Sequence, residues 1–457
     1  MEVEVWLARA AATRPERTAL LTPTGDWSYA RLYDAARFAA GELIERGAGR
    51  GSRVAIALPA GLEFAQALHA CLLLGAVAVP VDLRLAPGER EQIAAGADVL
   101  VEQPLGDGQA PAELPGAGPH ELDATAVVIH TSGTTSSPRP VELTYGNFLW
   151  SAFGSAVALG LDPHERWLCA LPLSHVGGLS ILLRSAIYAT TAVVHERFEE
   201  DRVLHALDEQ GVTLVSLVAT TLARLLDAGL EHPPALRVAL AGGGPVPAAL
   251  IQRARAAGVA VSLTYGLTES CSQATTTPVA EIDEFAEPGD AAPVGEDAET
   301  QPSAGPPLFC TRVQIAGDGE ILLAGPTVAP AARSADGWLH TGDLGELDDR
   351  LRLRVTGRKA DTIVSGGENV APVEVEAVLE AHPQVLEAAV LGRSDPRWGE
   401  AVTAIVVARA GAALEPEDLR AHCARALAPY KVPKRVVLSA EPLPRTRSGK
   451  LLRRELR

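Results

Sequence analysis

"HTSGTTSSPRP", His130–Pro140, directly follows the apolar run 124–129, and the rest of the chain is organised around it. Its first half gathers hydroxyl side chains around Gly133. Hydroxyls and backbone N–H groups on a loop that leaves a buried strand can surround phosphate oxygens, and a glycine allows close approach of the backbone. A Ser/Thr-rich surface turn is an equally good interpretation of this stretch alone, because these residues favour loops.

The composition limits the classes of function. A chain of 457 residues suggests roughly two to four domains. The net charge of −17 disfavours a nucleic-acid or anionic-membrane binder, because phosphate polymers would be repelled, whereas a small anionic ligand is still allowed. The five cysteines have no paired spacing, which predicts reduced thiols in a cytoplasmic protein without a structural metal.

No targeting or membrane segment is expected. The N-terminus lacks a basic region followed by an apolar run, so a signal peptide is not predicted. The longest uncharged apolar stretch, 67–81, is interrupted by His69, Gly75 and Pro80, so stable membrane insertion is not expected. The sequence does not indicate the oligomeric state, and a homo-oligomer is left open.

Two runs of alternating strand and helix patterns, 27–81 and 167–264, predict an α/β fold with mostly parallel sheets covered by helices. Ligands bind at the carboxyl ends of strands in such folds. Three of these ends carry glycines and polar groups: "PLSHVGGLS" at 172–180, "GGGP" at 242–245 and "YGLTESCSQ" at 265–273.

The alternation stops near Glu281, and the following short strands predict a small antiparallel or β-barrel-like unit. "GRKAD", 357–361, has the character of a boundary before a compact α+β module. The domains predicted are therefore 1–357, a hinge at 358–361, and a small mobile domain at 362–457. Only four lysines occur, and Lys450 stands in a Ser-Gly-Lys turn near the C-terminus.

Several single residues at these places suit nucleotide chemistry. A triple glycine lets a flat ring lie on bare backbone, Tyr265 offers an aromatic face, and Glu269 could hold Mg²⁺ beside phosphate. Asp343, in a Gly-flanked turn, could accept two vicinal hydroxyls of a ribose. Taken one at a time, each is more often an ordinary turn residue or a solvated carboxylate.

The order of the motifs is more specific. The hydroxyl loop, "YGLTE", "GWLHTGDLG", "GRKAD", "GGENV" and "PRTRSGK" together resemble the adenylate-forming superfamily, and the resemblance covers nearly the whole chain. It implies an acyl-CoA synthetase in which a carboxylate attacks the α-phosphate of Mg-ATP. The C-terminal domain then swings, and the thiol of CoA displaces AMP from the acyl-adenylate.

The resemblance also implies roles for individual residues. The polyphosphate would be held by Thr131, Ser132, Gly133, Thr134 and Thr135. The adenosine would be framed by Gly243, Gly244, Tyr265, Gly266, Thr268, Asp343 and Arg358. Catalysis would depend on Lys450, which bridges carboxylate and α-phosphate, on Glu269, which positions Mg²⁺, and on His175. The acid would contact His175, Arg184 and Ser272, and CoA would contact Ser365, Gly366 and Gly367.

Within the superfamily, "PLSHVGGLSILLRSAIY" and "YGLTESCSQ" look most like the o-succinylbenzoate-CoA ligases of menaquinone biosynthesis. That acid has a second carboxylate that needs a cation, and Arg184 lies in an otherwise apolar segment where a charge is costly unless paired. Alternatively, Arg184 extends to the surface or pairs with a structural acid.

Two other functions stay open. The chain could be another aryl- or fatty-acid CoA ligase. It could also be a nucleotide-binding relative without catalysis, because the hydroxyl loop departs from the family pattern at Ser136, Ser137, Arg139 and Pro140. Ala360 stands where a polar hinge residue is expected, although small residues do serve as hinges.

Overall fold

The computed structural model describes residues 1–106, 111, 114, 118–131, 139–282, 302–365, 368–445 and 451–456. The α-helices in these residues are α1 (Trp6–Thr13), α2 (Tyr29–Glu45), α3 (Leu62–Leu74), α4 (Pro87–Ala94), α5 (Tyr145–Leu159), α6 (Val176–Tyr188), α7 (Glu200–Glu209), α8 (Ala219–Asp227), α9 (Ala248–Ala256), α10 (Val279–Ile282), α11 (Pro372–Glu380) and α12 (Pro416–Ala426). The strands are β1 (Glu2–Val3), β2 (Thr18–Thr22), β3 (Gly25–Ser28), β4 (Arg53–Ile56), β5 (Val77–Pro80), β6 (Val99–Val101), β7 (His120–Glu121), β8 (Thr125–Thr131), β9 (Arg139–Thr144), β10 (Arg166–Cys169), β11 (Thr191–Val194), β12 (Leu214–Leu217), β13 (Val238–Ala241), β14 (Val261–Tyr265), β15 (Thr275–Thr276), β16 (Arg312–Ile315), β17 (Glu320–Ala324), β18 (Leu339–Leu347), β19 (Leu353–Arg358), β20 (Ile363–Ser365), β21 (Glu368–Val370), β22 (Val385–Asp395), β23 (Gly399–Ala408) and β24 (Arg435–Ser439).

The first sheet carries the stretch quoted above. Among the described residues its strand order is β6-β4-β5-β8-β9. The first four strands are parallel, and β9 pairs antiparallel with β8, with Thr131 opposite Arg139. Residues 132–138, most of the hydroxyl stretch, lie outside the described residues.

The second sheet is larger and has the order β15-β14-β13-β12-β10-β11-β2-β3 within the part of the chain that the structure describes. Its interior pairs are parallel, whereas β15 and β3 pair antiparallel at the two edges. Every residue of β12 and β13 is buried, as expected for parallel strands with both faces covered. The predicted α/β class is confirmed.

Helix α3 shows why this part of the chain is so apolar. All residues from Phe64 to Leu74 are buried, and the helix ends at Gly75, whose φ of +67° places it in the left-handed conformation common after helix ends. It packs against α2. No described helix combines the length and the apolar character needed to cross a lipid bilayer.

The small unit after residue 302 is an antiparallel sheet of the order β16-β17-β18-β19. The prediction that Asp343 lies in a turn is wrong, because Asp343 lies inside β18, opposite Arg358 on β19. Gly345, two residues later in the same strand, has to be a glycine because of close packing within the sheet. A Cβ atom at Gly345 would lie 2.7 Å from the carbonyl oxygen of Arg354.

The C-terminal part is a separate α+β layer. Its described strands have the order β21-β20-β23-β22, with β24 parallel to β23, and α11 packs on β22. Between β19 and β20, Lys359–Asp361 form a short 3-10 helix. The hinge at 358–361 and the domain boundaries 1–357 and 362–457 stay predictions.

Candidate active site

The carboxyl ends of β13 and β14 form the centre of the candidate site. These strands are parallel neighbours, with Ala241 opposite Leu263. The segments that follow them, Gly242–Gly244 and Tyr265–Gln273, therefore leave the sheet side by side. This edge is where α/β folds bind ligands, and the sequence places both segments there.

The triple glycine presents bare backbone for two physical reasons. A Cβ atom at Gly242 would lie 2.6 Å from Cγ2 and 2.9 Å from the carbonyl oxygen of Thr264, and Gly243 has a φ of +76°. At Gly244, by contrast, an added Cβ atom would meet no heavy atom within 4 Å. The backbone is therefore open on one side, where a flat ring could lie against it.

Tyr265, Asp343 and Arg358 form one hydrogen-bonded group. The Tyr265 hydroxyl donates to Oδ2 of Asp343 over 2.8 Å, and Nε of Arg358 donates to Oδ1 over 2.7 Å. Asp343 is only 5% exposed. Burial and then the Asp343 carboxylate raise the pKa of the Tyr265 hydroxyl, so it remains a donor at neutral pH. The Asp343 carboxylate is thus held in one orientation beside the carboxyl end of β14.

Glu269 lies in a tight turn on the same loop. Thr268–Ser270 form a 3-10 helix, and Oγ of Ser270 accepts a hydrogen bond from the N–H of Leu267 over 2.9 Å. The carbonyl of Glu269 accepts from the N–H of Ala329 over 2.8 Å, and the turn packs against β9. The half-buried Glu269 carboxylate is therefore carried on a fixed backbone near the strand that follows the hydroxyl stretch.

The start of this loop requires a glycine. A Cβ atom at Gly266 would lie 1.6 Å from the carbonyl oxygen of Ser272. Cys271 and Ser272 have φ values of 54° and 88°, a region that residues with side chains rarely adopt. The loop therefore folds back on itself, bringing Ser272 against the backbone beside Tyr265.

Arg184 is a buried cation on α6. It is 2% exposed, its Nη2 donates to Oγ of Ser151 over 2.9 Å, and its guanidinium lies 5.6 Å from the centre of the Trp167 ring. It does not reach the surface, and within the described part of the chain its side chain donates to the Ser151 hydroxyl rather than to a carboxylate, so neither alternative role predicted from the sequence is found. Burial lowers the pKa of this guanidinium, yet an arginine side chain stays protonated in proteins.

Ser151 connects Arg184 to the loop of Glu269. Its Oγ accepts from Arg184 and donates to the carbonyl oxygen of Cys271 over 2.7 Å. The serine is 1% exposed, so this contact is shielded from water. Two successive hydrogen bonds therefore link the Arg184 guanidinium to the loop that carries Glu269.

His175 lies at the other end of α6, as its N-cap residue. Its Nε2 is 3.1 Å from Nη2 of Arg84 and 3.8 Å from Oδ2 of Asp82. Arg84 and Asp82 follow β5 in the first sheet. His175 thus belongs to a different group of contacting side chains from Tyr265 and Asp343. The residues that contact it follow β5, whose carboxyl end lies at the same edge of the first sheet as that of β8.

The remaining predicted site residues have separate positions. Oγ1 of Thr131 donates to the carbonyl oxygen of Arg139 over 3.3 Å at the end of β8. Ser365 is buried in β20, and its hydroxyl has no hydrogen-bond partner among the described residues. The other predicted residues lie outside the described residues: Ser132, Gly133, Thr134, Thr135, Gly366, Gly367 and Lys450.

Sequence reasoning missed Asp82, Arg84 and Ser151. The first two follow a buried strand, so a search of every strand end would have found "VDLRL" beside the three stretches that were selected. Ser151 gives no such signal, because it is one small polar residue in the uncharged helix α5.

Comparison with known families places the whole chain in context. The family model described as "AMP-binding enzyme" matches residues 7–331, and the one described as "AMP-binding enzyme C-terminal domain" matches residues 374–450. The 2-succinylbenzoate--CoA ligase of Bacillus subtilis is 37% identical over 495 residues, which cover 99% of this chain and 97% of the relative. The same-named ligase of Bacillus cereus (strain ATCC 14579) is 38% identical over 488 residues, with coverages of 99% and 97%.

Solved structures agree with these relatives. The o-succinylbenzoate coenzyme A synthetase of Bacillus subtilis with ATP and magnesium ion has a TM-score of 0.86 at 35% identity and covers 100% of both chains. The same synthetase with its acyl-adenylate intermediate has a TM-score of 0.86 at 35% identity, covering 100% of this chain and 98% of that one. ATP-bound MatB from Rhodopseudomonas palustris has a TM-score of 0.87 at 26% identity, with coverages of 100% and 98%.

Proposed function

The chain belongs to the AMP-binding enzyme family, and we propose that it is the AMP-forming ligase that joins 2-succinylbenzoate (o-succinylbenzoate) to CoA. The superfamily that the ordered motifs predict is thereby confirmed. The relatives with this name match the chain almost from end to end, so the proposal covers both the ATP-binding part and the C-terminal part.

The reaction has two displacements. A carboxylate oxygen of the acid attacks the α-phosphorus of ATP, the bond to the bridging oxygen breaks, and pyrophosphate leaves. The sulfur of CoA then attacks the acyl carbonyl, AMP leaves, and the thiol proton is released. In the first step two anionic groups must meet, so the site has to supply positive charge and fixed geometry.

The group of Tyr265, Asp343 and Arg358 is proposed to hold the ribose of the nucleotide. A buried carboxylate with two donors already in place has free lone pairs on each oxygen for vicinal hydroxyls. Gly243 and Gly244 provide the adjacent open backbone for the base. Glu269 is the half-buried carboxylate available to Mg²⁺, which would neutralise charge on the phosphates.

The observation that supports this choice of acid most directly is Arg184. A buried guanidinium without a carboxylate partner among the described residues is costly, and a ligand carboxylate would compensate it. The second carboxylate of 2-succinylbenzoate supplies that charge. His175 and Ser272 are proposed to border the same acid, and Ser365 with its following glycines to border CoA.

The proposal is tested by supplying Mg-ATP, CoA and a panel of acids, and by measuring pyrophosphate and thioester. We expect both products with 2-succinylbenzoate, and much less with benzoate and medium-chain fatty acids. Activity only with the monocarboxylates would assign the chain to another acyl-CoA synthetase. Absence of pyrophosphate with every acid would contradict the ligase itself.

Arg184→Ala is expected to weaken the apparent affinity for 2-succinylbenzoate by about 100-fold, because a desolvated charge pair is lost. The KM for ATP should stay within about twofold. Benzoate, which has no second carboxylate, serves as the control substrate, and its use should change little.

Arg184→Lys retains the charge without the planar fork and is expected to fall between the wild type and Arg184→Ala. Melting temperatures of both variants establish that the fold is kept. An unchanged affinity for 2-succinylbenzoate in a folded Arg184→Ala protein would remove Arg184 from the acid site.

Asp343→Ala is expected to raise the KM for ATP by about 10- to 100-fold, because hydrogen bonds to a charged acceptor are worth about 1.5–3 kcal/mol. The KM for the acid should be unaffected. Asp349→Ala is the matched control, since Asp349 is exposed on the same unit. Equal effects of the two substitutions on ATP would rule out a specific role for Asp343.

The cysteines support a proposal for the cellular location, and the segment between the two domains supports a proposal for the domain movement. The five cysteines are buried thiols outside any disulfide, which supports a reducing, cytoplasmic environment. The swing between the two displacements is proposed to occur at Gly357–Asp361, which leads from the end of β19 to β20 of the α+β layer.

A further inference from the structure

The strand that carries the proposed ribose carboxylate departs from regular pairing beside that residue. The pairs Glu320–Leu344 and Leu322–His340 join β17 to β18, and they enclose one residue on β17 but three, Thr341–Asp343, on β18. The chain of β18 therefore bulges away from β17 at this point. A bulge beside a functional site bends the strand and redirects its side chains. The orientation of the ribose carboxylate thus depends on what holds the bulge.

Two side chains hold the backbone of the bulge. The N–H of Gly342 donates to Oε1 of Glu320 over 2.8 Å, and the N–H of Asp343 donates to Oγ1 of Thr341 over 3.0 Å. The Thr341 hydroxyl in turn donates to the carbonyl oxygen of Ile321 on β17 over 2.7 Å. Gly342 has a φ of +70°, a left-handed conformation that favours glycine. Glu320 is therefore a charged group that fixes the residue directly before Asp343.

The other oxygen of Glu320 is held by Lys359. Nζ of Lys359 donates to Oε2 of Glu320 over 2.9 Å and lies 2.6 Å from Oδ2 of Asp318. Glu320 is only 7% exposed. Burial alone raises the pKa of its carboxyl, but the hydrogen bonds from Lys359, Gly342 and His340 outweigh burial and lower that pKa. The carboxylate therefore stays ionised at neutral pH, and the hydrogen bonds that it accepts are charge-assisted.

His340 contacts the same carboxylate from the solvent side. Its Nδ1 is 3.4 Å from Oε2 of Glu320, and its Nε2 is 2.9 Å from Oδ2 of Asp336. The carboxylates of Asp336 and then Glu320 raise the pKa of this exposed imidazole. A separation of 3.4 Å is long for a hydrogen bond, so the shorter contact with Lys359 is the stronger of the two.

Glu320 thus contacts a chain neighbour of each member of the Asp343–Arg358 pair. Gly342 precedes Asp343 and Lys359 follows Arg358, while Asp343 and Arg358 lie opposite each other on β18 and β19. The carboxylate of Glu320 therefore connects the two strands at the position where Nε of Arg358 donates to Oδ1 of Asp343 over 2.7 Å. Loss of Glu320 or of Lys359 would release the backbone on one side of this pair.

We propose that Glu320 and Lys359 are positioning residues that hold Asp343 in the orientation that binds the nucleotide; this rests on the proposed function, in which Asp343 accepts the ribose hydroxyls. Glu320 holds the bulge through the N–H of Gly342, and Lys359 holds Glu320. Neither side chain needs to touch the nucleotide. Their effect on nucleotide binding passes through the Asp343 carboxylate.

The first test measures the affinity of the full-length protein for AMP by calorimetry, which requires neither the acid nor turnover. Glu320→Ala is expected to weaken AMP binding about tenfold and Lys359→Met about threefold, whereas Lys359→Arg keeps the charge and should stay near the wild type. In an Asp343→Ala background the same substitutions should have little further effect. Glu346→Gln, which breaks the surface pair with Arg354 on the same two strands, is the matched control and should leave AMP binding unchanged.

The second test examines the bulge directly by NMR of protein labelled with ¹⁵N-glycine. The Gly342 amide is assigned by comparison with Gly342→Asn, since asparagine tolerates a positive φ. We expect the Gly342 amide proton to shift upfield and to exchange faster with water in Glu320→Ala, because its hydrogen bond to a carboxylate is lost. An unchanged Gly342 amide in this variant would overturn the proposal.

Failure of this proposal and failure of the proposed function give different results. Wild-type protein that does not bind AMP would contradict the nucleotide site itself, and the positioning role with it. Normal AMP binding in the wild type and in folded Glu320→Ala would overturn the positioning role alone, as would full additivity with Asp343→Ala. Lys359→Met changes a partly exposed side chain, so its AMP affinity decides the question if Glu320→Ala does not fold.

Discussion

Lys450→Ala is expected to reduce formation of the acyl-adenylate by about 10²–10³-fold, while thioester formation from supplied acyl-adenylate and CoA is retained. The attacking carboxylate and the α-phosphate are both anionic, and a movable ammonium between them neutralises the developing charge without transferring a proton. The second displacement has no such meeting of anions. The expected result is measured by pyrophosphate release for the first step and by thioester yield from the purified adenylate for the second.

The matched control is Lys434→Ala, because Lys434 is another lysine of the C-terminal part and donates to the carbonyl of Pro429 over 2.9 Å. It should leave both steps unchanged. Lys434 also stacks on Trp398, 5.2 Å from the ring centre, so its removal tests whether loss of any C-terminal cation slows adenylation. Equal loss of both steps in Lys450→Ala would refute the role assigned to Lys450.

The chain on either side of Lys450 is anchored although Lys450 itself lies outside the described residues. Arg445 and Leu451 form an antiparallel bridge, and Arg453 donates through Nη2 to both oxygens of Glu376 over 2.6 Å each. Nη1 of Arg453 is also 3.5 Å from Oδ2 of Asp361 in the predicted hinge. Rotation at the hinge would therefore move the C-terminal end together with the α+β layer. Lys450 would then be brought to the nucleotide for the first displacement and withdrawn from it for the second.

Much of the fold could be predicted because apolar periodicity is a local signal. The sequence predicts alternating strands and helices over 27–81 and 167–264, and the structure has them as β3 to β5 and β10 to β14 with their intervening helices. It does not predict α5, since an uncharged helix of 15 residues, buried on one side and partly exposed on the other, has no polar face to mark its period. It also misses β9, because Arg139–Pro140 at its start has the composition of a loop.

The candidate site, like the fold, is only partly predictable from the sequence. Strand ends are visible in the sequence, so the sequence predicts that Gly242–Gly244 and Tyr265 lie at one edge of the sheet. The contacts that give the site its geometry depend on tertiary pairing. Asp343 meets Arg358 only through the register of β18 and β19, and Arg184 meets Ser151 across 33 positions of sequence. A pattern of residue types does not encode such registers.

The loop that carries Tyr265 and Glu269 is the other place where a single change is expected to have a large effect. Gly266→Ala should lower the rate of adenylate formation by about 100-fold, because the added Cβ atom would lie 1.6 Å from the Ser272 carbonyl oxygen and 2.7 Å from its carbon. These are backbone atoms and cannot rotate away. The loop must shift as a whole, and a displacement of about 1 Å at reacting groups costs this much.

The loop has little freedom to absorb that shift. Cys271 and Ser272 already have positive φ values, and the Cys271 carbonyl is fixed by the buried Ser151 hydroxyl that also contacts Arg184. We therefore expect a lower melting temperature together with weaker binding of both ATP and the acid, since one backbone connects their sites. Gly88→Ala in helix α4 is the control: its Cβ atom would meet nothing within 4 Å, and the change should be neutral or slightly stabilising. A Gly266→Ala protein with wild-type kinetics would mean that the backbone between Tyr265 and Ser272 can rearrange freely, and that the geometry of this loop does not set the rate.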